Sequence, residues 1–180
     1  MRGFVMRYIQ PIVDDIMKHA ETQNADWVNF GLVLFYERII DGDRSEIGNP
    51  NGTSPEVAKE KLELLKRQMT TDALEAVERN VPKFRRVIKM IAEQGYEVEL
   101  YTEAQHKMMM ENPAYATFQI IEHLTPEMSA RIFKQVGTFK GTTNVADATI
   151  LKMMATIKAI EHQRVKLKGF AAMEKLDPGT

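Results

Sequence analysis

The chain contains no cysteine in its 180 residues. This excludes a disulfide framework, a thiolate zinc site and a cysteine nucleophile, and it suits a reducing compartment such as the cytoplasm. Long apolar runs are also missing. A membrane-spanning helix needs about 18 consecutive apolar residues. The best candidate, WVNFGLVLFYERII at 27–40, is shorter and is interrupted by Asn29 and by Glu37–Arg38. The N-terminus has early arginines, but Pro11 and the Asp14–Asp15 pair stand where a signal peptide would continue its apolar stretch, so none is expected. A strong charge of either sign is lacking too, since the formal net charge is −1. A partner held mainly by long-range electrostatics is therefore disfavoured.

Catalytic motifs are equally scarce. There is no Gly-x-Ser-x-Gly elbow, and the three serines (Ser45, Ser54 and Ser129) read as loop, cap and helix residues. No Gly-x-Gly-x-x-Gly occurs. The polar stretch DGDRSEIGNPNGTS at 41–54 meets the first three calcium-loop positions with Asp41, Asp43 and Ser45. It then places Glu46 where that loop needs glycine at position 6, and Gly52 where it needs a bidentate glutamate at position 12. It lacks the Gly-Lys-Ser/Thr ending of a phosphate loop as well, so it reads as a solvated connection between helices. Glu103 and His106 have the spacing of a di-iron half-motif, but no second copy exists. His19 reads as a helix-end residue, and no metal or other cofactor is expected.

Helical periodicity is what the chain does have. Phe4, Val5, Tyr8, Ile9, Ile12, Val13, Ile16 and Met17 form one stripe, with Pro11 demanding a kink or a fresh start. Residues 27–40 are apolar nearly all round and read as a buried helix, while their Val, Phe and Tyr content leaves a strand open. Ser54-Pro55-Glu56 combines a capping hydroxyl, a proline preset for the first turn and a dipole-matched acid. The helix it starts carries Ala58, Leu62, Leu65, Met69, Ala73 and Ala76, and Val81–Pro82 is expected to interrupt it. Phe84, Val87, Ile88 and Ile91 mark the next helix, closed by Gly95. YEVELY at 96–101 alternates strictly, the one clear strand signal, although it has no ladder partner.

Further helices are expected at 103–111, 114–124 and 126–136, with Asn112–Pro113 between the first two. The last should run from Val145 to Leu176, with Ile150, Met153, Ile157, Ile160, Leu167 and Ala171 at 3,4 spacing and Arg164 breaking the series. The expected fold class is all-α: an irregular bundle of about six or seven helices with at most one short extended segment near 96–101. Residues 1–140 would form the helical core, its stripes at 4–17, 27–40, 58–77, 84–91 and 115–136. Residues 141–180 would form a long basic C-terminal helix, packed on that core or projecting from it.

Charge is unevenly distributed along the chain. Residues 41–130 hold sixteen Asp/Glu against eleven Lys/Arg, whereas residues 131–180 hold nine Lys/Arg against four Asp/Glu. Three consecutive methionines, Met108, Met109 and Met110, cover most of a helical turn, so one should face outward. These patterns point to a non-catalytic binding or regulatory protein that recognises another protein through helices. Its expected contact residues are Met108, Met109, Met110, Lys152, Lys158, Arg164, Lys166 and Lys168, with a homo-oligomer through the C-terminal helix left open. A second reading is a nucleic-acid-binding regulator using Lys83, Arg85, Arg86 and Lys89 together with Lys166 and Lys168. A helix-turn-helix over 125–154 fits poorly, because GTFKGTTN exceeds the usual connection of about 3–4 residues. The third reading is an enzyme or metal protein whose site assembles from residues distant in sequence.

Overall fold

A computed structural model describes residues 2–18, 25–41, 53–111 and 145–176. Among these residues the protein is all-α, with six helices longer than a single turn and no strand. They are α1 (Gln10–Met17), α2 (Ala25–Asp41), α3 (Pro55–Gln68), α4 (Thr71–Glu97), α5 (Glu103–Glu111) and α6 (Val145–Leu176). The expected loop at 41–54 is described only at its ends. The expected helices at 114–124 and 126–136, the loop after them and His19 lie outside the described residues.

Proline shapes the N-terminus. A short α-turn, Arg2–Phe4, leads into a π-helical segment, Val5–Ile9, and the Gln10 amide donates to the Val5 carbonyl. The wider turn carries the chain past Pro11, which has no N–H to continue an α-ladder and would crowd the preceding turn. Beyond it, Ile12 and Ile16 of α1 are buried. Residues 27–40 are helical, not extended, and bury Phe30, Val33, Leu34 and Ile39.

The expected boundary between the next two helices is displaced. Ser54 caps α3 as the sequence indicates, its Oγ accepting from the Val57 amide at 3.3 Å. That helix stops at Gln68, however, because Met69 is extended and Thr70 opens a new helix, its Oγ1 accepting from the Ala73 amide at 3.3 Å. Asp72 adds the acid that a first turn favours. α4 then runs straight through Pro82, which the sequence marks as a break. Pro82 lies on the exposed side, where the carbonyl it leaves without a partner is open to water, while Val77, Val81, Phe84 and Ile88 hold the buried side in register.

The expected strand at 96–101 is not formed. Tyr96 and Glu97 still belong to α4, and Glu99 adopts a left-handed backbone at φ 60°. Its amide donates to the Tyr96 carbonyl at 2.9 Å, and the Leu100 amide to the Gly95 carbonyl at 2.8 Å. This paired closure is a Schellman motif with glutamate where glycine is usual. Gly95 is thus not the cap. It lies inside the helix because Tyr101 folds back on it, and a Cβ there would clash with the edge of the tyrosine ring.

The core gathers Ile9 and the buried residues of α1, α2 and α4 with Met109 of α5 and Ala146, Met153, Ile157 and Ile160 of α6. Phe30 and Phe84 meet edge to face at 5.4 Å, and Trp27 stacks on Phe30 at 5.3 Å. One polar knot ties α1 to α4. Arg79 donates two bonds to Asp15, at 3.0 and 2.9 Å, and buried Asn80 donates to Asp15 and to the Ala76 carbonyl. The Arg79 and Asn80 bonds hold the Asp15 carboxyl down to about 2 from its ordinary 3.8.

Candidate interaction surface

α6 is built in two halves. Ala146, Thr149, Met153, Thr156, Ile157 and Ile160 of the first half are buried. Two polar contacts fix it. Trp27 Nε1 donates to Asp147 Oδ1 at 2.8 Å near the start, and the Tyr101 side chain hydrogen-bonds Thr156 further along. Burial of Tyr101 pushes its hydroxyl above the ordinary tyrosine range, and the Thr156 bond opposes that shift.

Past Ile160 the helix leaves the core. Leu167 is half-buried against it, but Val165 is 70% exposed, Phe170 60% and Met173 58%. Val165, Gly169, Ala172 and Met173 recur at helical spacing on a new side. At 100° per residue, Val165 stands roughly 140–160° round the helix from Ile160 and Leu167. A Cβ added to Gly169 would meet nothing within 4 Å, so this side is open. Ala171, on the expected stripe, is exposed.

The lysines flank this outer row. Lys158, Lys166 and Lys168 are exposed, and Arg164 donates to Glu161 at 2.9 Å in a partly exposed pair. Such a pair on one helix face contributes only about 0.3–0.5 kcal/mol. Lys152 belongs to the first half of α6, and its side chain lies outside the described set. Among the methionines, Met108 is 49% exposed, Met110 is half-buried and Met109 is fully buried in the core.

The basic residues of α4 do not form one free patch. Lys83 and Arg86 are exposed and Lys89 is half-buried. Arg85 instead turns to α2, with Nη2 3.0 Å from Glu37 and 3.7 Å from Asp41. Burial raises the Glu37 pKa, and the Arg85 charge opposes that rise. A partly buried glutamate signals a need for a cation, but that Arg85 of another helix, and not the adjacent Arg38, supplies it is not visible from spacing.

An acidic corner lies where the first half of α6 ends. No lysine or arginine occurs between Lys89 and Lys107, and Glu93, Glu97, Glu99 and Glu103 are all exposed. Tyr96 stacks on His106 at 4.3 Å and 10°. The corner is the C-terminal end of α4, whose dipole adds to its negative potential. Tyr101 links this corner to Thr156, so glutamates stand at the base of the projecting half and lysines along it.

Among the described residues no group of three or more His, Asp or Glu side chains could hold a metal ion. No described helix is long and apolar enough to cross a membrane. Fold and surface together define an all-α protein with one helix half inside its core and half outside. Compared with protein families, with curated proteins and with solved structures, the chain matches none of them.

Proposed function

We propose that this is a non-catalytic binding protein whose recognition element is the projecting half of α6, and that it engages another protein by helix packing. The observation that supports this reading is the exposure of Val165, Phe170 and Met173 within nine residues of one helix. Scattered apolar residues on a surface need no explanation. Three on one projecting half, spread over an arc of about 140° with Lys166 inside it and Lys168 beside it, give the mixed apolar and basic surface that a partner could cover. Burying each would contribute about 1.5–3 kcal/mol to a complex. Met108 is the one methionine of its run exposed enough to add a second contact. The nucleic-acid reading keeps Lys166 and Lys168 but draws less from α4, since Arg85 is engaged by Glu37 and Asp41. The absence of cysteine fits a reducing compartment, and we take the chain to work in the cytoplasm.

The test is a triple variant, Val165→Asp, Phe170→Asp and Met173→Asp, in the full chain. A protein that co-purifies with the wild type should, once purified, bind the wild type directly and the variant at least about 100-fold more weakly, given the burial above. Helix content by circular dichroism should stay the same. Equal binding by both forms would sink the reading. Affinity for a mixed DNA and RNA pool that falls steeply with salt and weakens on Lys166→Ala plus Lys168→Ala would replace it with the nucleic-acid one.

A further inference from the structure

We infer that α3 is a hinged cover, which swings off α2 as a unit about Met69 and Thr70 while the other helices stay folded. This is independent of the binding face on α6. Met69 and Thr70 are both extended, so the helical ladder is broken between α3 and α4. Each helix is sealed at its own start, α3 by Ser54 and α4 by Thr70, whose carbonyl also accepts from the Leu74 amide at 2.9 Å. Releasing α3 therefore breaks none of the bonds that start α4. Thirteen residues separate α2 from α3 in the sequence, enough chain for the two helices to part without strain.

Packing on the moving side is thin. Ala58 is the one fully buried residue of α3, Leu62 and Leu65 are half-buried against the core, and Val57 and Leu64 are exposed. α4, by contrast, buries eleven residues. Among the described helices α3 packs chiefly on α2. Among the described residues one side-chain bond, Lys66 Nζ to Glu78 Oε1 at 3.1 Å, joins it to another helix, and exposure of Glu78 lets water compete for that bond. Burial raises the Glu37 pKa, and the Lys66 charge is among those opposing that rise. α3 therefore lies against the side of α2 that bears Glu37 and, one turn earlier, buried Val33. An element with few buried apolar contacts opens before the fold as a whole does, and its departure bares that side of α2. Once released, a lone helix of 14 residues is marginal in water, so its amides lose protection together.

The cysteine-free chain allows a clean test. Ala58 of α3 and Ala92 of α4 are both fully buried, so Ala58→Cys and Ala92→Cys are matched probes. With reclosing faster than reaction, labelling by a thiol reagent follows the population of the open form. Ala58→Cys should label at least about 100-fold faster than Ala92→Cys, and with a shallower dependence on urea because less surface is exposed. Asp15→Asn, which loosens the tie between α1 and α4, should speed Ala92→Cys several-fold and leave Ala58→Cys unchanged. In the unsubstituted protein the amides of 59–68 should exchange with one common protection, below that of the buried turns of α4. Equal labelling rates, or an Asp15→Asn effect shared by both probes, would mean that α3 opens only in global unfolding and would overturn the inference. Slow exchange of α3 in the unsubstituted chain would overturn it too, by tracing fast labelling to the cysteine itself. So would protection that rises steadily inward from Pro55, which is fraying of one end.

Discussion

The two halves of α6 share one unbroken backbone and differ in where they keep their apolar residues. In the first half these residues face inward and join the core of α1, α2 and α4. In the second, Leu167 keeps to the inner side while Val165 and Met173 turn away from it and stand exposed. A helix is usually read as having one apolar stripe, and this one has two in succession on nearly opposite sides. Inward burial stabilises the fold, while the outward row contributes nothing to it until something packs there. Substitutions a few residues apart should therefore behave very differently, and that contrast is the largest effect expected.

Ile160 is fully buried and Val165 is 70% exposed. Ile160→Asp loses about 1.5–3 kcal/mol of side-chain burial and adds an unpaired carboxylate to an apolar site, for a total of at least about 4 kcal/mol. Against a stability of about 5–15 kcal/mol, this leaves the protein close to unfolded. Val165→Asp should stay within about 0.5 kcal/mol of the wild type. Urea denaturation followed by circular dichroism compares them directly. Equal losses would mean that the second half is docked after all, and the contrast between the halves would collapse.

A smaller effect tests the boundary. Tyr101 reaches Thr156 just before α6 leaves the core, and it can do so because Gly95 leaves room for its ring. Gly95→Ala gains about 1 kcal/mol of helix propensity, yet its Cβ would clash with the Tyr101 ring. Overpacking of this kind costs about 1–3 kcal/mol, so a net loss in the same urea assay is expected. Should the variant prove more stable than the wild type, Tyr101 swings aside freely and does not mark where docking ends.

Much of the fold can be read from residues whose physics is local. The Ser54 cap, the helical length of 27–40 and the span from Val145 to Leu176 all follow from spacing and end chemistry. What escapes such reading is set by packing. The row Leu65, Met69, Ala73 continues in register across a real break, so the capping sequence Thr70-Thr71-Asp72 is hidden beneath it. Pro82 resembles a breaker until its exposed position is known. The alternation in YEVELY comes from a helix closing through a left-handed glutamate, which mimics the period of a strand. In the candidate surface, the lysines are legible but the Val165, Gly169, Ala172 and Met173 row is not. Following the first-half stripe through Leu167 to Ala171 leads along the wrong side of the helix. The 4,3 spacing of Val165, Gly169 and Ala172 was the available signal.

Ion pairs give the same contrast between regions on its smallest scale. Asp15, with a side chain 28% exposed, accepts from Arg79 and from fully buried Asn80. Glu161, 58% exposed, pairs with Arg164 one turn along the same helix. Asp15→Asn should cost about 1 kcal/mol at neutral pH, a charge-assisted bond discounted for its partial exposure, whereas Glu161→Gln should cost about 0.3–0.5 kcal/mol or less. The sign with pH follows from the lowered carboxyl. Folding favours the ionised form of Asp15, so its contribution is fully present above about pH 4 and is lost as pH falls through about 2. The gap between wild type and Asp15→Asn should accordingly narrow between those values and close below them, in urea titrations at stepped pH. A gap that persists at pH 2 at its full neutral-pH size would place the loss in the shape of the Asp15–Asn80 contact and not in its charge. The core would then share with the projecting half an indifference to ion pairing, and burial alone would separate the two.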